Sequence, residues 1–221
     1  MNLPDGFLET YPALALHGVV HALVPRVPGI DGSTHKGEIL AQLQPWHAAA
    51  VETLGFSAEQ VCRAEQVHGG DVMAVTTDSP RWIPGVDGLL TNEPGLLLAI
   101  HTADCAPVFL VDPVRRAVAL LHSGRKSTEA GITPRAIAAM QQAYGTNPAD
   151  LLLQIGPCIR PPLFEMDMVS RILADASAAG VPPAHLHDCG RCTGSDLGRY
   201  YSYRVEKGRT GRLLALLGMP R

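Results

Sequence analysis

The sequence predicts an α+β fold or a layered α/β sandwich, and three observations carry that expectation. Several short runs rich in Val, Ile and Leu are bounded by turn residues, as strands buried on both faces are. Longer segments show helical periodicity with recognisable stops. The two kinds of segment are mixed, without the strict alternation that marks a parallel sheet wound with crossover helices.

Taken in order, Pro25 to Ser33 holds two prolines and two glycines and reads as a turn-rich loop. A helix is expected from Glu38 to Leu54, with Pro45 as the point where it would kink. Val61 to Val67 and Asp71 to Thr76 read as strands on either side of a tight His68-Gly69-Gly70 turn, and Asp87-Gly88 opens a further strand, Leu89 to Thr91. Leu96 to Ile100, Val108 to Val111 and Ala117 to Leu121 are the most apolar runs. Asp112-Pro113 turns the chain between the last two, which predicts an antiparallel hairpin. Thr133-Pro134 has the form of an N-cap followed by a first-turn proline, with a helix to Tyr144. Leu151 to Ile155 reads as a strand, and Met166 to Ala179 as a helix stopped by Gly180. Tyr200 to Arg204 is expected to be a strand, and Leu213 to Leu217 forms a last apolar segment.

Composition narrows the function. The 221 residues are 46 % hydrophobic, enough for a sizeable core, and the expectation is one domain over 1–221. The net charge is −3 with no basic stripe, and aromatics are 5 %, which argues against a nucleic-acid partner. No apolar run approaches bilayer length and Met1 to Glu9 has no leader pattern, so no membrane partner is expected and a cytoplasmic location is. Five widely spaced cysteines, an odd number, read as thiols or ligands rather than a disulfide framework.

Three residues stand out for chemistry. His68 follows a strand and enters a Gly-Gly turn, Cys105 follows His101-Thr-Ala-Asp104, and His122 ends an apolar run before Ser123-Gly124. Strand-to-loop boundaries are where a rigid sheet presents side chains to a cleft. One thiolate and two imidazoles make an ordinary zinc set with a fourth place open. Taken singly, a buried cysteine is more often inert core and a strand-end histidine a surface hydrogen-bonder.

The motifs containing these residues resemble one family. Gln66-Val-His68-Gly69, Asp87-Gly88-Leu-Leu-Thr91, Thr102-Ala-Asp-Cys105-Ala-Pro107, His122-Ser-Gly124, Ile155-Gly-Pro-Cys158-Ile159 and Tyr201-Ser-Tyr-Arg204 resemble the YfiH, or laccase-domain, proteins. They fall in order over about two thirds of the chain. The 17 positions from Cys105 to His122 match the spacing expected in that family. The resemblance implies an α/β/β/α sandwich related to the catalytic domain of a bacterial cytotoxic necrotizing factor. It implies zinc on His68, Cys105 and His122, and an enzyme for small molecules, nucleoside and phosphate first. The implied reaction is phosphorolysis of adenosine, inosine or methylthioadenosine, with adenosine deamination as a further activity. Other members suggest an amidase editing a peptidoglycan precursor. Copper-dependent phenol oxidation fits poorly, because the several His-rich motifs of multicopper chemistry are missing.

The implied roles are as follows. Cys105 and His122 serve as catalytic groups as well as ligands, or as a nucleophile–base pair without metal. Asp104 orients a ligand, takes a proton, or simply caps a turn. Gln66, Arg26, Arg125 and Lys126 bind substrate. Where the family reads His-Ala-Gly-Trp-Arg-Gly, this chain reads His122-Ser-Gly-Arg125-Lys126-Ser127, which replaces a bidentate arginine with lysine and favours a catalytically impaired metal-binding protein as the non-enzyme alternative. A second cluster, His185, His187, Cys189 and Cys192, has the composition of another metal or redox site, against the simpler reading of a loop with incidental thiols.

Overall fold

The computed structural model describes residues 1–15, 17–30 and 36–221. In chain order it forms α1 (Pro12–Ala15), β1 (Val20–Val24), α2 (Lys36–Thr53), β2 (Val61–Ala64), β3 (Val72–Ala74), β4 (Trp82–Ile83), β5 (Gly88–Thr91) and β6 (Leu97–Thr102). Then follow β7 (Ala106–Asp112), β8 (Ala117–Ser123), α3 (Arg125–Glu129), α4 (Ile132–Tyr144), β9 (Leu152–Ile155), α5 (Met168–Ala178), β10 (Leu186–Asp188) and β11 (Leu213–Gly218). The strands make a five-stranded sheet, β1-β11-β6-β2-β4, and a six-stranded sheet, β10-β9-β7-β8-β5-β3.

Alternation of side chains along each strand explains the layering. Cys62, Leu98, Ile100 and Ala215 of the first sheet face Leu89, Phe109, Val118 and Leu120 of the second, in a core between the sheets. The other face of the second sheet, with Leu90, Val108, Leu110, Ala119 and Leu121, packs on Ile132, Ile137 and Met140 of α4 and Ile172 of α5. The other face of the first sheet, with Val61, Leu97, Ala99 and Leu216, packs on Ala50 and Val51 of α2. Helix, sheet, sheet and helix are stacked in that order, the expected sandwich. Because both faces of the central strands are covered, every residue of β7, β8 and β11 is buried.

The apolar runs are strands as read, and β7 and β8 form the expected hairpin. Asp112 closes it by accepting the backbone N–H groups of Val114 and Arg115, each at 2.9 Å. Pro45 lies inside α2 without ending it. Ile39, Leu43, Ala50 and Val51 along that helix are all buried, and such burial outweighs a proline defect of roughly 3 kcal/mol. Four expectations change. Tyr200 to Arg204 is loop and turn, not strand: Tyr200 and Tyr201 are buried as plugs while Tyr203 and Arg204 point outward. Helix α4 starts at Ile132 with Gly131 as its cap in a left-handed conformation, so Thr133 and Pro134 sit inside the first turn. Arg125 and Lys126 belong to a short helix rather than a loop. The strands on either side of His68 enter different sheets, β2 the first and β3 the second. The Pro25–Ser33 loop is described to Ile30; residues 31–33 lie outside the described residues.

Candidate metal centre

Strand register assembles the site. In the β7–β8 ladder Pro107 pairs with His122 and Ala106 with Ser123, so one further step sets Cys105 opposite Gly124. In the β5–β8 ladder Gly88 pairs with Leu121, so one further step sets Asp87 opposite His122, and His122 N–H donates to the Asp87 carbonyl at 2.7 Å. His68, carried out of β2 in the other sheet, arrives at the same edge. The ligand atoms of His68, Cys105 and His122 lie within 4.8 Å of one another, the one such group of three among the described residues. The two imidazoles meet edge to face, with centroids 4.8 Å apart.

Asp87 holds the group together. Its Oδ1 accepts the His68 N–H at 2.9 Å, its Oδ2 accepts the Gly69 N–H at 2.7 Å, and its Oδ1 lies 2.7 Å from His122 Nδ1. An ionised carboxylate only accepts, so Nδ1 carries a proton and Nε2 is the nitrogen turned to the cluster, free to ligate once it gives up any proton of its own. Burial works to raise Asp87, but His122 and the amides of Gly69 and His68 hold it below the usual carboxylate range. Burial also pushes the Cys105 thiol up, yet hydrogen bonds from His122 and His68 outweigh it and bring the thiol down to about 6. Burial disfavours charge on His122, but Asp87 and Cys105 raise it to about 9. With no cation bound, the pair is therefore a thiolate beside an imidazolium near neutral pH.

The donor set fits a transition-metal ion: two imidazoles, one thiol prone to ionise, and an outer carboxylate fixing one tautomer. Gly124 makes the same point from packing. A Cβ there would stand 2.7 Å from Cys105 Sγ and 3.4 Å from His68 Cδ2, so only glycine leaves the thiol its position. Gln66, His68 and Asp104 all hold positive φ, at 64°, 62° and 86°. Three non-glycine residues in that region at one site is the clustering expected where function over-determines the backbone.

The remaining sequence candidates fall into distinct places. The centre opens into a cavity of about 800 Å³ lined among others by Gln66, Asp104, Arg125 and Lys126. Gln66 locks its amide to the His101 backbone, donating to the carbonyl at 2.6 Å and accepting the N–H at 2.8 Å. Asp104 accepts Thr193 Oγ1–H at 2.6 Å and Arg204 N–H at 2.7 Å, so both carboxylate oxygens pin the loop carrying Cys105. Arg125 pairs with Glu165 at 2.7 Å and with Glu129 at 3.2 Å, whereas Lys126 makes no ion pair among the described residues. Arg26 is not among the cavity residues. It bonds Glu206 at 2.6 Å and the Tyr200 carbonyl at 3.1 Å, and stacks 4.4 Å above the Tyr201 ring. Two further arginines line the cavity, Arg204, which shares Glu165 with Arg125, and half-buried Arg212, which donates to the Thr210 and Gly211 carbonyls. Asp87, Arg204 and Arg212 were missed as site residues; Asp87 was signalled only by its place in a motif before a buried strand.

The second His/Cys cluster does not converge. Cys189 packs against the core between the sheets, Cys192 against the helix-side core beside Cys158, and His185 Nδ1 lies 3.1 Å from the Leu151 carbonyl.

The description "multi-copper polyphenol oxidoreductase laccase" belongs to the family model that matches residues 25–176 and 164–220. This chain belongs to that family. The purine nucleoside phosphorylase YlmD of Geobacillus stearothermophilus is 33 % identical over 76 % of this chain and 75 % of its own length. A purine nucleoside phosphorylase of Deinococcus radiodurans is 32 % identical across the whole of this chain and 96 % of its own. The crystal structure of the Geobacillus YlmD superposes with a TM-score of 0.81 at 28 % identity, covering 96 % of this chain and 94 % of that one. YfiH of Bacillus licheniformis shares the fold, with a TM-score of 0.81 at 22 % identity, covering 91 % of this chain and 92 % of that one. No helix among the described residues is long and apolar enough to cross a membrane.

Proposed function

We propose that this member is a zinc-dependent purine nucleoside phosphorylase, with His68, Cys105 and His122 as ligands. The observation that carries the reading is the convergence of those three residues in the lining of a cavity whose other residues include cations. The relatives' names supply the substrate class. Zinc bound there supplies a Lewis acid that polarises an oxygen of the bound ligand. One such group stands among the described residues, whereas multicopper oxidation needs several copper sites, and the reading therefore takes zinc.

The chain's own residues do the rest. Asp87 fixes the His122 tautomer, and Asp104 holds the loop of Cys105 in place rather than taking a proton, because both its oxygens are already bonded. Glu165 offsets part of the charge of Arg125 and Arg204, which leaves Lys126 and Arg212 as the cavity cations with no carboxylate ion pair among the described residues. Those two would hold an incoming phosphate by charge, and Lys126 does so as a point charge without a bidentate fork. In phosphorolysis a phosphate oxygen bonds to the anomeric carbon, the glycosidic C–N bond breaks, and the base leaves with a proton.

Adenosine, inosine and methylthioadenosine, each incubated with the metal-loaded protein with and without phosphate, test the reading. The expected outcome is free base plus the pentose 1-phosphate only when phosphate is present, abolished by a chelator and restored by zinc. Conversion of adenosine to inosine is the accompanying deaminase activity. Silence on all three nucleosides, with the metal bound, would sink the reading.

A further inference from the structure

We infer that Trp82 is the surface on which a planar heteroaromatic base lies when a nucleoside enters the cavity; this rests on the reading above. Trp82 and Ile83 form the short edge strand β4, where alternation sends Ile83 into the core at 5 % exposure and leaves Trp82 outside at 55 %. Nothing in the strand itself requires a tryptophan there, because its ladder partner Arg63 needs only the backbone. The chain holds only two tryptophans. The other, Trp46, is half-buried against Phe7 at 5.2 Å. A single exposed apolar residue is ordinary, but a large aromatic ring grouped with other exposed apolar side chains at a cavity marks a contact surface.

Its surroundings say which contact. Trp82 lines the same cavity as His68, Cys105 and His122, and two other exposed apolar residues, Val67 and Tyr203, share that cavity. The cations lie on other elements: Arg125 and Lys126 on α3, Arg204 and Arg212 beyond the second sheet's last strand in sequence. The lining thus sets exposed aromatic and apolar side chains beside cations, with Arg212 5.9 Å from the Tyr203 ring centre and the metal ligands among them. A ligand with a flat apolar end and an anionic partner matches that mixed lining, and a base stacks on any indole face without needing hydrogen-bond readout. Trp82 would then contribute binding rather than chemistry, a specificity residue for bases over other leaving groups.

Steady-state kinetics and tryptophan emission test this together. Trp82→Ala should raise KM for inosine about tenfold while kcat stays within about twofold, the pattern of lost uniform binding. Trp82→Phe should recover most of the loss. With Trp46→Phe as background, Trp82 is the only emitter, and its emission should be quenched saturably by inosine and by free hypoxanthine but not by ribose 1-phosphate. An unchanged KM in Trp82→Ala, or no quenching at saturating inosine while turnover continues, overturns the inference and leaves the proposed activity standing. Should no nucleoside be turned over, the proposed activity fails instead, and quenching by hypoxanthine alone still decides whether Trp82 binds a base.

Discussion

Two regions of this molecule are rich in the same ligand types, and only one of them forms a site. His185, His187, Cys189 and Cys192 lie within eight positions of one another, while His68, Cys105 and His122 span more than fifty. The distant set converges because strand register brings it to one sheet edge, and a buried carboxylate ties two of its members together. The local set diverges because the chain turns between its two cysteines, at Gly190 with a positive φ of 71°: Cys189 joins one core and Cys192 the other. His185 spends a ring nitrogen on a backbone carbonyl, and Asp188 is held in a two-pronged ion pair by Arg160. Density of ligands in sequence therefore predicts less than their position on the sheet.

The sharpest way to break this comparison is to delete one ligand from each region. Cys105→Ala should reduce bound metal from one ion per chain to nearly none and abolish turnover, because it leaves two imidazoles without their thiolate. Cys192→Ala and Cys189→Ala should keep metal content and activity. Metal analysis of the purified variants decides it; loss of metal in Cys192→Ala would show that the second cluster is a site after all.

Thiol reactivity separates the same regions without mutation. In protein stripped of metal, Cys105 sits at about 6 against ordinary thiols near 9, whereas burial raises Cys189 and Cys158 above the ordinary range. The thiolate is the reactive form, so alkylation at Cys105 rises with pH through about 6 and is nearly complete in rate by pH 7. At that pH it should outrun Cys189 by at least about a hundredfold by thiolate fraction alone. Peptide mapping after brief iodoacetamide treatment measures this, and bound metal should protect Cys105.

A milder break is Asp87→Asn. The amide cannot accept from both backbone amides and His122 Nδ1 as a carboxylate does, and it presents donors where donors already point. Metal affinity should fall about 10- to 100-fold, the usual cost of losing such an outer partner. A competition titration with a chromophoric chelator reads it directly.

Much of this was legible in the sequence, for reasons that differ by element. The strands of the two sheets announce themselves because both faces are buried, so β6, β7, β8 and β11 are nearly continuous apolar runs. Tyr200 to Arg204 misled because aromatic residues favour strands, yet here Tyr200 and Tyr201 fill the core from a loop whose backbone groups bond within local turns and to side chains, such as Glu206 accepting the Ser202 N–H, instead of to a ladder. Helix α3 was hidden because Gly124 caps it without a side chain and Arg125-Lys126-Ser-Thr has no apolar period. The ligand triad could be named from motifs. The carboxylate that assembles it could not be read from spacing, because that role depends on the register of β5 against β8.

One hydrogen bond joins the two regions, and it gives the smallest effect. Thr193, next to Cys192, donates its hydroxyl to Asp104 at 2.6 Å, and Asp104 neighbours Cys105. Both residues are buried, so Thr193→Val leaves an Asp104 oxygen without a donor while preserving shape. The expected cost is about 1–3 kcal/mol of stability, seen as a lower denaturation midpoint with an unchanged slope. If the bond also steadies the Cys105 loop, metal affinity should fall a few-fold in Thr193→Val and return in Thr193→Ser, which restores the hydroxyl. Equal stability and equal metal affinity in all three proteins would mean that the loop is held by the Arg204 and Ile159 amides, and that this hydroxyl lends nothing to the metal centre.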